Sequence, residues 1–388
     1  MTCLLRTRVC RSVLSIFTAA ALAAAALLGT AAAAQTVPGF SVDANGVLLR
    51  DGAVFRGIGV NYYNAFYRTI QDPTDTSYRR GFQELGDRDI PFARVMGTAF
   101  KRLELNEYLD NRDSWFARMD DVIKHAGDNN VGVILCLFWN VKAVPNLQGE
   151  PLNAWGDSTS ETRAFARTYA RDVIARYADN PTVVGWEFCN EFNLKKDLPA
   201  NLGTNDEIDS ESIWNAMRWF ADEVERLDPG AMVSSGNAIP RVSANELRRF
   251  NRFSPDTRGE FRLELRKDNP GGVDTLSIHA YFDFTTKNRF GLTDGADYRD
   301  VIREAMSAAA TAKKPLFIGE FGVRRGDTDD SFTRFTQFLD DFDELGVQIA
   351  ALWVYDFNGV PGWNVRWDNG RAWQLREIEK KNAELAAQ

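Results

Sequence analysis

A (β/α)8 barrel is the fold class that this sequence predicts, and three observations predict it. Eight short runs rich in β-branched and aromatic residues recur along the chain: Phe55–Tyr63, Phe92–Gly97, Val131–Trp139, Thr182–Asn190, Met232–Asn237, Leu276–Phe282, Leu316–Phe321 and Ile349–Tyr355. Segments with a period near 3.6 lie between them. Several of the runs are almost wholly apolar, which suits parallel strands covered on both faces. Eight strand-then-helix units in one α/β chain of this length close most readily into a barrel. A doubly wound open sheet is the alternative, but no Gly-x-Gly-x-x-Gly turn follows the first strand.

Each element has its own signal. Gly39–Asp51, with Asn45-Gly46 inside it, reads as a short β-hairpin that would close the bottom of the barrel. Trp115, Met119, Val122 and Ala126 mark one helix face, and Ile213, Met217, Phe220, Val224 and Leu227 mark another. Phe332, Phe335, Phe338 or Leu339, Phe342 and Leu345 mark a third. Asn193–Ser210 and Pro240–Gly272 are irregular and follow strands four and five, where barrel loops shape the functional face. The second carries eight Lys/Arg against five Asp/Glu, as a solvated helical face does. A contact with an acidic sugar is the sharper reading of it.

The N-terminus reads differently from the rest. Arg6, Arg8 and Arg11 precede an apolar run from Val13 to Leu28, and Ala31–Ala34 offers a small-residue cleavage site. That is the pattern of a cleaved secretory signal over residues 1–34, which would place the protein outside the cell or in a periplasm. An N-terminal anchor is the alternative. The remaining residues, 35–388, are expected to form a single barrel domain.

Composition excludes several functions. Removing Arg6, Arg8 and Arg11 takes the net charge from −8 to −11. So acidic a chain argues against nucleic acid and anionic membrane as partners. It is expected to work as a monomer. The only histidines are His125 and His279, which excludes a zinc site built from several imidazoles. No metal and no other cofactor is expected. Cys136 and Cys189 each lie in an apolar run and read as buried free thiols, with a disulfide as the alternative.

Two strand ends carry the chemistry. Gly185-Trp-Glu-Phe-Cys-Asn-Glu191 closes strand four, and Pro315-Leu-Phe-Ile-Gly-Glu320 closes strand seven. Two carboxylates brought to one mouth can divide the work of glycoside cleavage: one protonates the leaving oxygen, the other attacks or activates water. Other strand ends match in order. Arg94 lies in Phe92-Ala-Arg-Val, His279 and Tyr281 in Ser277-Ile-His-Ala-Tyr, and Trp353 in Ala351-Leu-Trp. In these residues the chain resembles glycoside hydrolase family 5, in the clan with the acid/base on strand four and the nucleophile on strand seven. The resemblance spans the whole chain after residue 34.

The resemblance implies a retaining double displacement. Glu320 would attack in ionised form, favoured by Arg94 and Tyr281, and Glu191 would begin protonated because Glu320 is negative. Asn190 would bond the sugar 2-hydroxyl. Trp139 and Trp353 would stack on sugar rings. Glu187, four residues before Glu191, would point the same way and pair with a buried arginine that the sequence does not name. Two departures bear on the substrate. Phe192 follows Glu191 where many members have proline, and Trp139 ends strand three where many have histidine. The tryptophan is more similar to the β-mannanase branches. The expectation is therefore a secreted β-glycoside hydrolase, with β-1,4-mannan as the first substrate and β-glucan as the second. A transglycosylase with the same glutamates and a non-catalytic carbohydrate-binding barrel are the alternatives.

Overall fold

The computed structural model describes residues 39–199, 207–282, 286, 288–291, 297–324 and 330–388. The expected signal segment, 1–34, lies outside them. Eight parallel strands form the barrel: β4 Gly57–Asn61, β5 Phe92–Met96, β6 Gly132–Phe138, β7 Val183–Cys189, β8 Val233–Ser234, β9 Leu276–Ala280, β10 Leu316–Phe321 and β11 Ile349–Leu352. Their order around the sheet is β8-β7-β6-β5-β4-β11-β10-β9, so the chain order closes on itself. All eight lie within the expected runs.

The one open seam, between β8 and β9, is stitched by single bonds. The Asp274 amide donates to the Val233 carbonyl at 2.8 Å, and the Val233 amide donates to Asp274 Oδ2 at 2.7 Å. β8 is far shorter than the expected Met232–Asn237 because Gly236 turns the chain at φ +72°. A Cβ there would lie 1.7 Å from the Cys189 carbonyl oxygen, so no other residue fits. The turn still serves β7: the Cys189 amide donates to Ser235 O and the Glu191 amide to Gly236 O.

The helical periods become helices on the outside. Arg112–Asp128 buries Trp115, Met119, Val122 and Ala126 and is capped by Asn111, whose side chain accepts from the Ser114 amide. Ser210–Leu227 buries Ile213, Met217, Phe220 and Val224 and is capped by Asp209. In Ser331–Leu345, Phe335, Phe338, Leu339 and Phe342 are buried, but Phe332 is exposed. Phe332 sits in the first turn, where it meets Trp373 at 5.4 Å and not the barrel.

The hairpin at the bottom has one strand more than expected. Phe40–Val42 (β1) pairs with Leu48–Arg50 (β2), which pairs with Ala53–Val54 (β3). Phe40 and Leu48 plug the barrel floor against Phe92, Ile134, Val184, Met232, Phe317, Ile349 and Ala351. Gln348 clamps the plug in place through the Leu48 amide and the Leu48 and Phe55 carbonyls. The floor is thus entirely apolar and leaves the other end of the strands for chemistry.

Candidate active site

The carboxyl ends of the strands converge on one guanidinium. Arg94, in β5, is fully buried. Its Nε donates to Glu187 Oε1 at 2.7 Å, Nη1 to Asn61 Oδ1 at 2.9 Å and Glu320 Oε1 at 3.1 Å, and Nη2 to Asn190 Oδ1 at 2.9 Å. A rigid fork of donors is what such multiple recognition requires, and lysine could not replace it. Burial works against the arginine's charge, but Glu187 and Glu320 outweigh it and hold its pKa above the ordinary value. Arg94 is therefore the unnamed partner of Glu187. Asn61, which closes β4, also donates to the Gly319 carbonyl at 2.8 Å and so ties β4 to β10.

Glu191 follows β7 in a left-handed conformation, φ 59° and ψ 29°, which is uncommon for a residue with a side chain. Its surroundings enforce that conformation. Asn193 donates to the Ala238 carbonyl at 2.7 Å and accepts from the Ala238 amide at 3.1 Å. Buried Lys196 ion-pairs with Glu264 at 3.1 Å and with Asp268. Phe192, where proline was the common alternative, packs on Trp155 and Phe188 at 5.4 and 5.6 Å between ring centres. An aromatic contact and a buried polar network together fix the segment that carries Glu191.

Glu320, in β10, accepts from Tyr281 at 2.5 Å through Oε2 and from Arg94 through Oε1. His279 stands between the two glutamates, its Nδ1 at 2.8 Å from Glu191 Oε1 and 3.4 Å from Glu320 Oε1. Its Nε2 is buried without a hydrogen-bond partner among the described residues. Facing two carboxylates, Nδ1 carries a proton and donates to them. Gly319 makes room for the ring, since a Cβ there would lie 2.9 Å from Nε2. One oxygen of each glutamate and one His279 nitrogen all lie within 4.8 Å of one another.

The proton distribution differs from the sequence expectation. Burial opposes the charge on Glu191, but the hydrogen bond and charge of His279 outweigh it and hold the carboxyl below the ordinary glutamate range. Burial pushes the Glu320 carboxyl up. Glu191 adds to that push, and His279, Arg94 and Tyr281 offset it only in part. Exposure is the physical reason: the Glu320 side chain is 5% exposed and that of Glu191 is 32% exposed. The Tyr281 hydroxyl is held well above its usual value by burial and by the negative Glu320 beside it, so it remains a donor.

Asn190 gives its oxygen to Arg94 and has an amide nitrogen left for a ligand. Trp353, past the end of β11, lines a cavity of about 640 Å³ together with Glu191, His279, Tyr281, Glu320 and Trp363. Trp139 does not line it. Its ring is buried, stacked on Tyr63 at 5.1 Å and lying under the Arg94 guanidinium at 4.6 Å. Tyr63 in turn stacks on Trp353 at 5.3 Å, and Trp139 stacks on Trp353 at 6.3 Å. The Trp139 ring thus supports Arg94 within an aromatic cluster. Asn61, in the apolar run that ends at Tyr63, is the member of the site that sequence reasoning passed over.

Glu191, His279 and Glu320 are the only set among the described residues whose ligand atoms could meet on one ion. Arg94 already faces Glu320 and disfavours a second cation there. The set is built to share protons.

A parallel barrel that gathers two carboxylates, a histidine, a tyrosine and an arginine at its carboxyl-terminal mouth defines an O-glycosyl hydrolase. The family model for cellulase, glycosyl hydrolase family 5, matches residues 90–358, and the chain belongs to that family. Similar curated proteins are β-galactosidase BgaH of Haloferax lucentense and mannan endo-1,4-β-mannosidase F of Aspergillus clavatus. The first is 22% identical over 62% of this chain and 39% of its own length, the second 22% identical over 55% and 46%. The matches thus take in less than half the length of either relative. Among solved structures, the endo-1,4-β-mannanase of Rhizomucor miehei superposes with a TM-score of 0.67 at 16% identity, covering 90% of this chain and all of that one. The β-mannanase of the blue mussel Mytilus edulis gives 0.59 at 15% identity over 89% and 97%. These similarities share the fold.

Proposed function

We propose that the protein is a retaining β-glycoside hydrolase that acts on β-1,4-mannan or its oligosaccharides, with β-glucan as the next substrate. The separation of the two carboxylates carries this reading. Their nearest oxygens lie within 4.8 Å, close to the ~5–5.5 Å of retaining enzymes and well short of the ~6.5–9.5 Å that an attacking water needs. Glu320 attacks the anomeric carbon as the glycosidic C–O bond breaks, and Glu191 gives its proton to the leaving oxygen. Water then attacks the same carbon, gives its proton to Glu191, and Glu320 leaves.

Binding supplies the proton arrangement this needs. A sugar over the mouth removes water mainly from Glu191, the more exposed of the two, and so raises its carboxyl selectively. Glu320 is already sealed and gains little. Glu191 then takes up a proton, where the leaving oxygen needs it. Asn190, fixed by Arg94, is placed to bond the 2-hydroxyl. The mannan preference rests on the mannanases among the similar proteins and on Trp139, in place of histidine, after β6.

A panel of mannan, glucan and galactan with reducing-end product analysis tests the reading. New reducing ends from mannan, abolished in Glu320→Gln, are the expected result. Failure to cleave any β-linked substrate overturns it, and products longer than the substrate would favour transglycosylation. We also propose export with removal of residues 1–34, since a polysaccharide must be met outside the membrane. Sequencing the N-terminus of the exported protein checks this. A single chain, without nucleic acid, metal or membrane, suffices for the proposed reaction.

A further inference from the structure

The two sides of the cavity differ in chemistry. The Glu320 side presents the hydrogen-bonding groups of His279 and Tyr281, with the Arg94 network behind them. The other wall rises from the segments after β7 and β8, next to Glu191, the residue that serves the leaving group. It consists of Leu194, Ala238, Ile239, Pro240, Val242 and Phe253. The polar side chains in that wall are largely engaged. Arg241 gives Nε and Nη2 to the Leu194 carbonyl, and Arg289 gives Nη1 to the Pro240 carbonyl. Ser243 is buried at the start of helix Ala244–Phe250.

A sugar seated against this wall gains mainly through the apolar face of its ring, because its hydroxyls find few partners there. An alkyl chain or aromatic ring would lose nothing and would cover apolar surface. Phe253, which lines the cavity, is 63% exposed and leaves a large apolar side chain open to it. The wall is continuous with Glu191, and the 640 Å³ cavity has room for a group beyond the reacting sugar.

We infer that the leaving-group side is an apolar aglycone site, and that the enzyme also cleaves glycosides whose sugar is joined to an alkyl or aryl group, longer apolar groups being favoured over shorter ones. The inference rests on the glycosidase reading and names the leaving-group class for the same site. The reaction is unchanged: Glu191 protonates the oxygen that stays with the aglycone, which departs as an alcohol or phenol.

Methyl and hexyl β-glycosides isolate the effect, because their leaving groups have nearly the same acidity and differ only in apolar length. With β-mannosides, and β-glucosides in parallel, kcat/KM is expected to be about tenfold or more higher for hexyl than for methyl. Val242→Asn with Phe253→Ser should bring the hexyl-to-methyl ratio toward one. Both positions lie at the cleft surface, and circular dichroism confirms folding. A ratio near one in the wild type, or a ratio unmoved in the double variant, overturns the inference while leaving the hydrolase reading intact. If no glycoside is cleaved, the hydrolase reading fails. Calorimetric titration of hexyl and methyl β-mannoside into Glu320→Gln then decides the wall alone. Tighter hexyl binding supports the apolar site, and equal binding overturns it.

Discussion

The same strands end in opposite chemistry at the two mouths of the barrel. At the floor, Phe92, Ile134, Val184, Phe317 and Ile349 meet Phe40 and Leu48 of the plug, all of them apolar. A turn of strand further on, β5 presents Arg94, β7 presents Glu187 and then Glu191, and β10 presents Glu320. Arg94, Glu187 and Glu320 are buried, and Glu191 is partly exposed. A buried ion pair contributes little net stability once desolvation is counted. The floor therefore holds the fold, and the mouth draws on that stability to keep carboxylates where water would not leave them.

Substituting at the two ends should break the molecule in opposite ways. Glu320→Gln should abolish nearly all turnover and yet raise the thermal midpoint at neutral pH. The sign follows from linkage. A carboxyl whose pKa is raised on folding stabilises fully below its unfolded pKa and loses that stability as pH rises through the folded value. At neutral pH, above the unfolded pKa, the buried Glu320 is thus a cost that glutamine removes, and the gain should vanish in acid. Paired melts at pH 7 and below pH 4 check this; a lower midpoint at pH 7 would contradict the contrast. For the same reason the acid limb of kcat/KM should lie above the ordinary glutamate range.

Glu191→Gln should cost about 10²–10⁴-fold on natural substrates but far less on an aryl glycoside whose leaving group needs no proton. Equal losses in the glycosylation step on both would reverse the roles of the two glutamates. At the floor, Phe317→Ala should cost about 3–5 kcal/mol of stability, read by denaturant titration, while the folded fraction keeps its pH profile. The two tryptophans sharpen the comparison within the mouth. Trp353→Ala should lower kcat/KM with little change in midpoint, whereas Trp139→Ala should lower both, because Arg94 rests on that ring. The smallest expected effect is from dialysis against EDTA, which should leave activity unchanged; loss restored by Ca²⁺ would show an ion in use.

Much of this division could be read from the residues. Apolar runs ending in glutamate located both β7 and β10, because a charge not paired within the barrel is tolerated only where a buried strand reaches the mouth. Gly39–Asp51 announced the plug through Asn45-Gly46. What stayed illegible was whatever depends on distant partners. Nothing local shows that the Trp139 ring lies under an arginine from another strand. The pairing of Glu187 with Arg94 joins residues far apart in sequence. The early end of β8 follows from the turn at Gly236, so close to the Cys189 carbonyl that only glycine fits, and no local pattern reveals that approach. The order of the carboxyl pKa values needed the exposure of each group, which spacing does not contain.

Cys136 and Cys189, one on β6 and one on β7, are free, fully buried and held well above the usual thiol range, first of all by burial. A thiol reagent meets neither until strands at the heart of the barrel part. Their alkylation, followed by peptide mass, is thus a native clock for opening of the site. Cys189 stands two residues from Glu191, so its labelling rate reports how often the catalytic segment lets go. A saccharide that holds that segment should slow the clock, giving a readout of binding that requires no turnover at all.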